Sequence, residues 1–167
     1  MVAYRQFEEF GMPRSKFCWD SVVFSKVLNG GEGLTADEIS GLGEVVDLAD
    51  RGQIVIVTSA LIDMEVLGEI GDETIRARTA HLFERANVVS VEPASTIISR
   101  ARQIREQGRL EGRSIKTPDA IFIATAIVHG ANAFHTFDDK LLAISGKDYV
   151  DALPITKPRG EQTLLAL

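Results

Sequence analysis

The stretch TPDAIFIATAIVHGANAFHTFD, Thr117 to Asp138, decides how this chain folds. Thr117 is an N-cap residue type, Pro118 suits a first helical position and Gly130 ends helices, so the spacing predicts one helix between them. That helix is almost wholly apolar, which places Phe122, Ile123 and Ile127 in a core or on a dimer face. A β-prone run, Ala133–Thr136, follows at once, so the unit is a helix that feeds a strand.

Four more short β-prone runs lie outside it: Phe17–Trp19, Ile54–Val57, Val88–Val91 and Leu153–Ile155, each bounded by Gly, Pro, Asn or charged residues. Helical patterns separate them. Thr35-Ala36-Asp37-Glu38 is a capping-box sequence opening a helix to about Asp50, Ser59 opens one through Glu69, and Thr74–Ala86 and Ser95–Gln107 supply two more. Such alternation predicts an α/β fold: a three-layer α/β/α sandwich around a mostly parallel sheet of about five short strands, with right-handed crossovers.

At 167 residues, 45% hydrophobic and 25% charged, the chain suits one compact domain and is no disordered or collagenous polymer. Neither a linker nor an internal repeat divides it. The expected organisation is an extension over 1–16, the α/β domain over 17–156 and a tail over 157–167. Apolar runs fall short of the roughly 20 residues that span a bilayer, and the opening MVAYRQFEEF lacks the apolar core of a secretory signal. One cysteine, Cys18, makes neither an intrachain disulfide nor a thiolate zinc site, so a cytoplasmic location is expected. The net charge of −6 argues against a protein that simply coats nucleic acid, but an enzyme holding divalent metals needs a carboxylate cluster.

In open α/β sheets, ligands bind outside the carboxyl ends of the strands. Asp20 ends the first strand, Asp138 follows the 133–136 strand, Asp119 lies in the first turn of the helix after Thr117, and Glu65 stands about six residues into the helix after the second strand. Four carboxylates from four segments can thus converge. Each also has a structural explanation: Asp20 as an N-cap, Asp119 as a helix-dipole partner, Glu65 as a member of a solvated face with Asp63 and Glu69, and Asp138 as a cap beside Asp139. Between the last two, Asp138 is the expected site residue. Mg²⁺ and Mn²⁺ prefer oxygen ligands, and a phosphodiester hydrolase built on them needs no side-chain nucleophile. The chain carries no P-loop, HExxH or G-x-S-x-G motif, and Cys18 sits inside an apolar strand.

The segments FCWDSVVFSKVL (17–28), TSALIDMEVL (58–67), TPDAIFIATAIVHGA (117–131) and FHTFDDKLL (134–142) resemble, in order and approximate spacing, the motifs of PIN-domain nucleases, including VapC-type toxins. The resemblance implies an Mg²⁺- or Mn²⁺-dependent ribonuclease acting on RNA, with Asp20, Glu65, Asp119 and Asp138 as its acidic site and Asp20, Asp119 and Asp138 as metal ligands. Ser21 takes the polar position beside the first aspartate, and Thr136 the hydroxyl position before the last. The same resemblance implies an antitoxin protein as a candidate partner and a homodimer or higher homo-oligomer. A basic stretch, Arg100, Arg102, Arg105, Arg109, Arg113 and Lys116, leads into the Asp119 helix. Arg109, Arg113 and Lys116 are its candidates for RNA or partner contact, a solvated helix face being the alternative. His81, His129 and His135 receive no role, and Trp19 reads as core. Two other functions are weighed: a catalytically silent PIN-like scaffold for a protein partner, and a phosphohydrolase of small substrates, which no nucleotide-specific loop supports.

Overall fold

A computed structural model describes residues 15–67, 77, 80–83 and 87–160. Its centre is a five-stranded, all-parallel sheet of β1 (Ser15–Trp19), β2 (Ile54–Ser59), β3 (Val88–Val91), β4 (Ala133–His135) and β5 (Ile155–Thr156), in the order β3-β2-β1-β4-β5. The helices are α1 (Ser21–Leu28), α2 (Ala36–Asp50), α3 (Leu61–Leu67), α4 (Ser95–Leu110), α5 (Thr117–Val128) and the single turn α6 (Asp139–Leu142). A 3-10 turn at Asp148–Val150 precedes β5. The expected three-layer α/β architecture holds: α1 packs on β1, α2 on β2, and α5 lies against β1, β2 and β4 with α4 beside it.

The apolar run inside α5 explains its place. Ala120 through Ala126 are all buried, so Phe122 and Ile123 belong to the core, with Ile127 packed at its edge. The start of this helix differs by one residue from the sequence expectation. Lys116 is the N-cap, extended and without a side-chain cap bond, and Thr117 is already helical. Pro118 then stands one place further in, where its missing N–H is still among those a helix leaves unpaired. Gly130 follows the C-cap His129 with φ +63°, the left-handed conformation that glycine adopts without strain.

The fifth strand also shifts. It begins at Ile155, because Pro154 has no N–H to give the ladder and the Leu153 amide turns back to the Val150 carbonyl. In α2 the capping box forms as read: the Thr35 hydroxyl accepts from the Glu38 amide and the Glu38 carboxylate from the Thr35 amide. Residues 157–160 lie on this helix, with the Lys157 ammonium bonded to Glu38 and the Gly160 amide donating to Glu44. Gly41 permits that approach, since a Cβ there would stand 2.7 Å from the Pro158 carbonyl oxygen. The Ser59 hydroxyl accepts from the Leu61 amide at 3.4 Å at the start of α3. That helix's expected end at Glu69 and most of the expected 74–86 helix lie outside the described residues, of which 77 and 80–83 are helical. No helix among the described residues is long and apolar enough to cross a membrane.

Candidate metal centre

The strand order reverses direction at β1: β2 and β3 lie on one side of it, β4 and β5 on the other. In doubly wound sheets the crevice at such a switch point is where ligands bind. Asp20 leaves β1 and Asp138 leaves the β4 segment, so two of the expected acids flank that crevice.

Asp20 serves as a helix cap, and one of its oxygens is left over. It is the N-cap of α1, its Oδ1 accepting from the Val23 amide at 3.0 Å, while Oδ2 is buried with no hydrogen-bond partner. Burial pushes its carboxyl up to about 7, against the pull of the Thr136 hydroxyl and the Val23 amide, and the charges of Asp119 and Asp138 push the same way. Asp138 repeats the design. It caps α6 with Oδ1, which accepts from the Lys140 amide at 2.8 Å, and its own amide donates to the Thr136 hydroxyl at 3.0 Å. Thus capping does not compete with a site role at these residues, because each carboxylate has two oxygens. Asp139 is exposed and faces the Lys157 charge.

Asp119 stands half-buried in the first turn of α5. Burial raises its carboxyl above the ordinary range; Lys116 opposes this, while Asp138 and Glu65 add to it. Glu65, half-buried on α3, is therefore within the field of Asp119. Ser21 is the first residue of α1, half-buried, and Thr136 is fully buried between the two capping aspartates. The structure thus brings all four acids into one electrostatic neighbourhood, in which Lys116 draws the Asp119 carboxyl down. Among the described residues no three His, Cys, Asp or Glu side chains are close enough to hold a metal ion as they stand. The orphaned Asp20 oxygen and the hardness of the oxygen donors nevertheless fit Mg²⁺ or Mn²⁺, which take one or two carboxylates directly and keep waters.

The basic stretch divides. Arg100 is engaged by Asp151 at 2.6 Å and the Tyr149 carbonyl at 3.1 Å, and Arg105 donates to the Ile115 carbonyl, so both hold the α4 region together. Arg102, Arg109 and Lys116 are exposed and Arg113 is half-exposed. Cys18 is fully buried with its thiol pushed far up by burial, which removes it as a nucleophile.

Sequence reasoning left two residues under the acids without a role. The Trp19 indole N–H donates to His135 Nδ1 at 3.1 Å, and the Thr58 hydroxyl donates to the Trp19 carbonyl at 3.0 Å. Burial pulls the His135 imidazole down to about 3, so it stays neutral, stacked on Phe17. Both partners are apolar-strand residues in the sequence, and nothing local signals their pairing.

The fold is that of a PIN domain. A PIN-domain family model matches residues 36–147, a span that contains Glu65, Asp119 and Asp138 and begins after Asp20. The chain belongs to the PIN-domain family, whose members are generally nucleases. No curated protein sequence gives a significant match. Among solved structures, VapBC2 of Rickettsia felis bound to a promoter DNA fragment is similar with TM-score 0.64 and 12% identity over 84% of this chain and 96% of that one. A toxin–antitoxin complex from Klebsiella pneumoniae gives 0.57 and 18% over 84% and 96%. The sarcin–ricin loop cleaving toxin VapC20 of Mycobacterium tuberculosis gives 0.55 and 18% over 76% and 94%. At these identities the likeness is one of fold.

Proposed function

We propose that this chain is a divalent-metal-dependent endoribonuclease in which Asp20, Asp119 and Asp138 hold Mg²⁺ or Mn²⁺ and Glu65 completes the acidic set. The observation that carries the reading is the buried, unpartnered Oδ2 of Asp20, in a carboxylate crowded by two other acids. A buried charge without a counter-ion is strongly unfavourable, and a divalent cation relieves both the orphaned oxygen and the repulsion. When bound, such a cation acidifies a water and offsets the charge that develops on a phosphodiester. The chain's own groups orient the ligands: the Val23 amide fixes Asp20, the Lys140 amide fixes Asp138, and Ser21 adds a polar group at the rim. Arg109, Arg113 and Lys116 bind RNA phosphates beside the Asp119 end of α5.

The nuclease domain, expected over 17–156, takes in Ser15 and Lys16 through β1 and residues 157–160 through their bonds to α2. The fold likeness to toxins solved with their antitoxins supports a toxin role with an antitoxin partner; a cytoplasmic location and a homodimer belong to the same proposal. RNA cleavage by the purified chain, with Mn²⁺, with Mg²⁺ and with chelator, tests the activity. Asp119→Asn is expected to lower the metal-dependent rate at least about 100-fold. Cleavage that survives chelation, or that Asp119→Asn leaves intact, overturns the reading. The silent-scaffold alternative has in its favour that no three acids are yet within ligating distance of one another among the described residues. It leaves the Asp20 oxygen unexplained, since a scaffold gains nothing from a buried orphan that Asn would replace.

A further inference from the structure

We propose that Trp19 and His135 form a positioning pair, a buried clasp that fixes the β1 and β4 strand ends against each other and so sets how Asp20 and Asp138 are presented to a divalent cation; the inference rests on the metal reading above. Trp19 and His135 face each other in register across β1 and β4, and each is the last residue of its strand. One residue beyond them stand Asp20 and Thr136, and the Thr136 hydroxyl serves Asp20 on one side and the Asp138 amide on the other. The indole N–H to Nδ1 bond thus ties the two strands side chain to side chain one residue before Asp20 and three before Asp138.

Trp19 is also tied to the other neighbouring strand. Its carbonyl lies beyond the β1–β2 register, which ends at Cys18 and Val57, and the Thr58 hydroxyl takes it. One residue thus binds the three central strands at the edge where the acids emerge. The imidazole is suited to this work because it is neutral, stacked on Phe17 at 5.1 Å between ring centroids, and offers Nδ1 as a fixed acceptor. Trp19 packs edge-on against Phe24 of α1, the helix that Asp20 caps, so a shift of the indole moves the cap as well. Buried polar pairs of this kind cannot exchange their partner for water, and removing one member leaves the other unsatisfied. Groups that orient metal ligands commonly set affinity by a factor of about ten or more.

Two substitutions at His135 separate the hydrogen bond from the packing. His135→Asn keeps an acceptor near the Nδ1 position and gives up the ring, whereas His135→Phe keeps the ring and gives up the acceptor. Binding of Mn²⁺ alone to the full chain, read from the loss of the free-ion electron paramagnetic resonance signal, gives a dissociation constant for each variant without any substrate. Circular dichroism confirms that each variant is folded. The expected result is a roughly tenfold weaker Mn²⁺ constant in His135→Phe and a value near that of the unaltered chain in His135→Asn. The reverse order, or equal constants in all three, overturns the clasp while leaving the metal reading intact. No saturable Mn²⁺ binding by the unaltered chain overturns the metal reading and the clasp with it. Should His135→Phe fail to fold, Trp19→Phe removes the donor instead and must weaken Mn²⁺ by a similar factor; an unchanged constant there counts against the clasp equally.

Discussion

Among the described residues, the acids at the start of α2 and those at the carboxyl edge of the sheet both lie at helix N-termini, and their surroundings are opposite. At the start of α2, Asp37 and Glu38 are compensated: Lys157 bonds Glu38 at 2.7 Å, Arg159 bonds Asp37 at 2.9 Å, and the Lys157 ammonium with the Thr35 amide draws the Glu38 carboxyl down to about 2. At the carboxyl edge of the sheet, Asp20, Asp119 and Asp138 share amides, one hydroxyl and the nearby Lys116, and burial drives Asp20 up to about 7. A helix N-terminus favours a carboxylate equally in both places, so the dipole does not make the difference. Burial does. Asp37 is exposed and Glu38 half-buried, and each bonds a cation, whereas Asp20 is buried with other acids acting on it, and Lys116 acts on Asp119.

The largest effect expected from this contrast is at Asp20. Asn keeps the cap acceptor and discards the charge, so Asp20→Asn should stabilise the metal-free protein at pH 8 by on the order of 3 kcal/mol in urea unfolding, while abolishing cleavage. An Asn variant less stable than the parent at pH 8 would break the contrast at its stronger end.

The pH profile sharpens it. Asp20 has a folded value near 7 and an ordinary value of 3.8, so stability present below pH 4 is lost as the pH rises to 7. Glu38 runs the other way: lowered from 4.5 to about 2, it contributes stability above pH 4.5 that disappears as the pH falls toward 2. His135, held near 3 against an ordinary 6.5, adds stability as the pH rises to 6.5 and so opposes Asp20 over the same range; the contribution of Asp20 is therefore read from the difference between two proteins. The stability of Asp20→Asn relative to the parent should grow from pH 4 to 7 and level off above it, and a difference that stays constant across that range contradicts the assignment to Asp20.

At α2 the effects are smaller. Glu38→Gln preserves the capping box and removes only the ion pair with Lys157, a fall of roughly 2 °C in Tm at pH 7 that high salt diminishes. Arg159→Ala is expected to shift Tm by less than that, since both partners of its pair with Asp37 are well exposed. Thermal unfolding at low and high ionic strength checks both.

What the sequence revealed follows the range of the interactions. The capping box at Thr35 and Glu38 and the strand at Val88–Val91 depend on residues within a few positions, where spacing carries the signal. That Asp20, Asp119 and Asp138 lie within one another's field, with Glu65 in that of Asp119, follows from the alternation of strands and helices, which brings strand ends to one edge. Partners drawn from distant segments were not legible. Lys157 reaches Glu38 across 119 residues, the Trp19 indole reaches His135 across 116, and Arg105, read as one of a basic stretch, turns to the Ile115 carbonyl. The one-residue error at Thr117 arose because proline fits either of the first two helical positions, and only the extended Lys116 decides between them.

The central claim is that the acids of the sheet edge form a site for a divalent cation, and the most direct measurement is thermal unfolding at pH 8 and constant ionic strength under a titration of Mn²⁺ and Mg²⁺, for the unaltered chain and for Asp119→Asn. The account expects a saturable rise in the unaltered chain, about 2.7 kcal/mol at 100 times the dissociation constant, and a much smaller one in the variant. Equal responses in the two proteins, or none in either at millimolar metal, would contradict it.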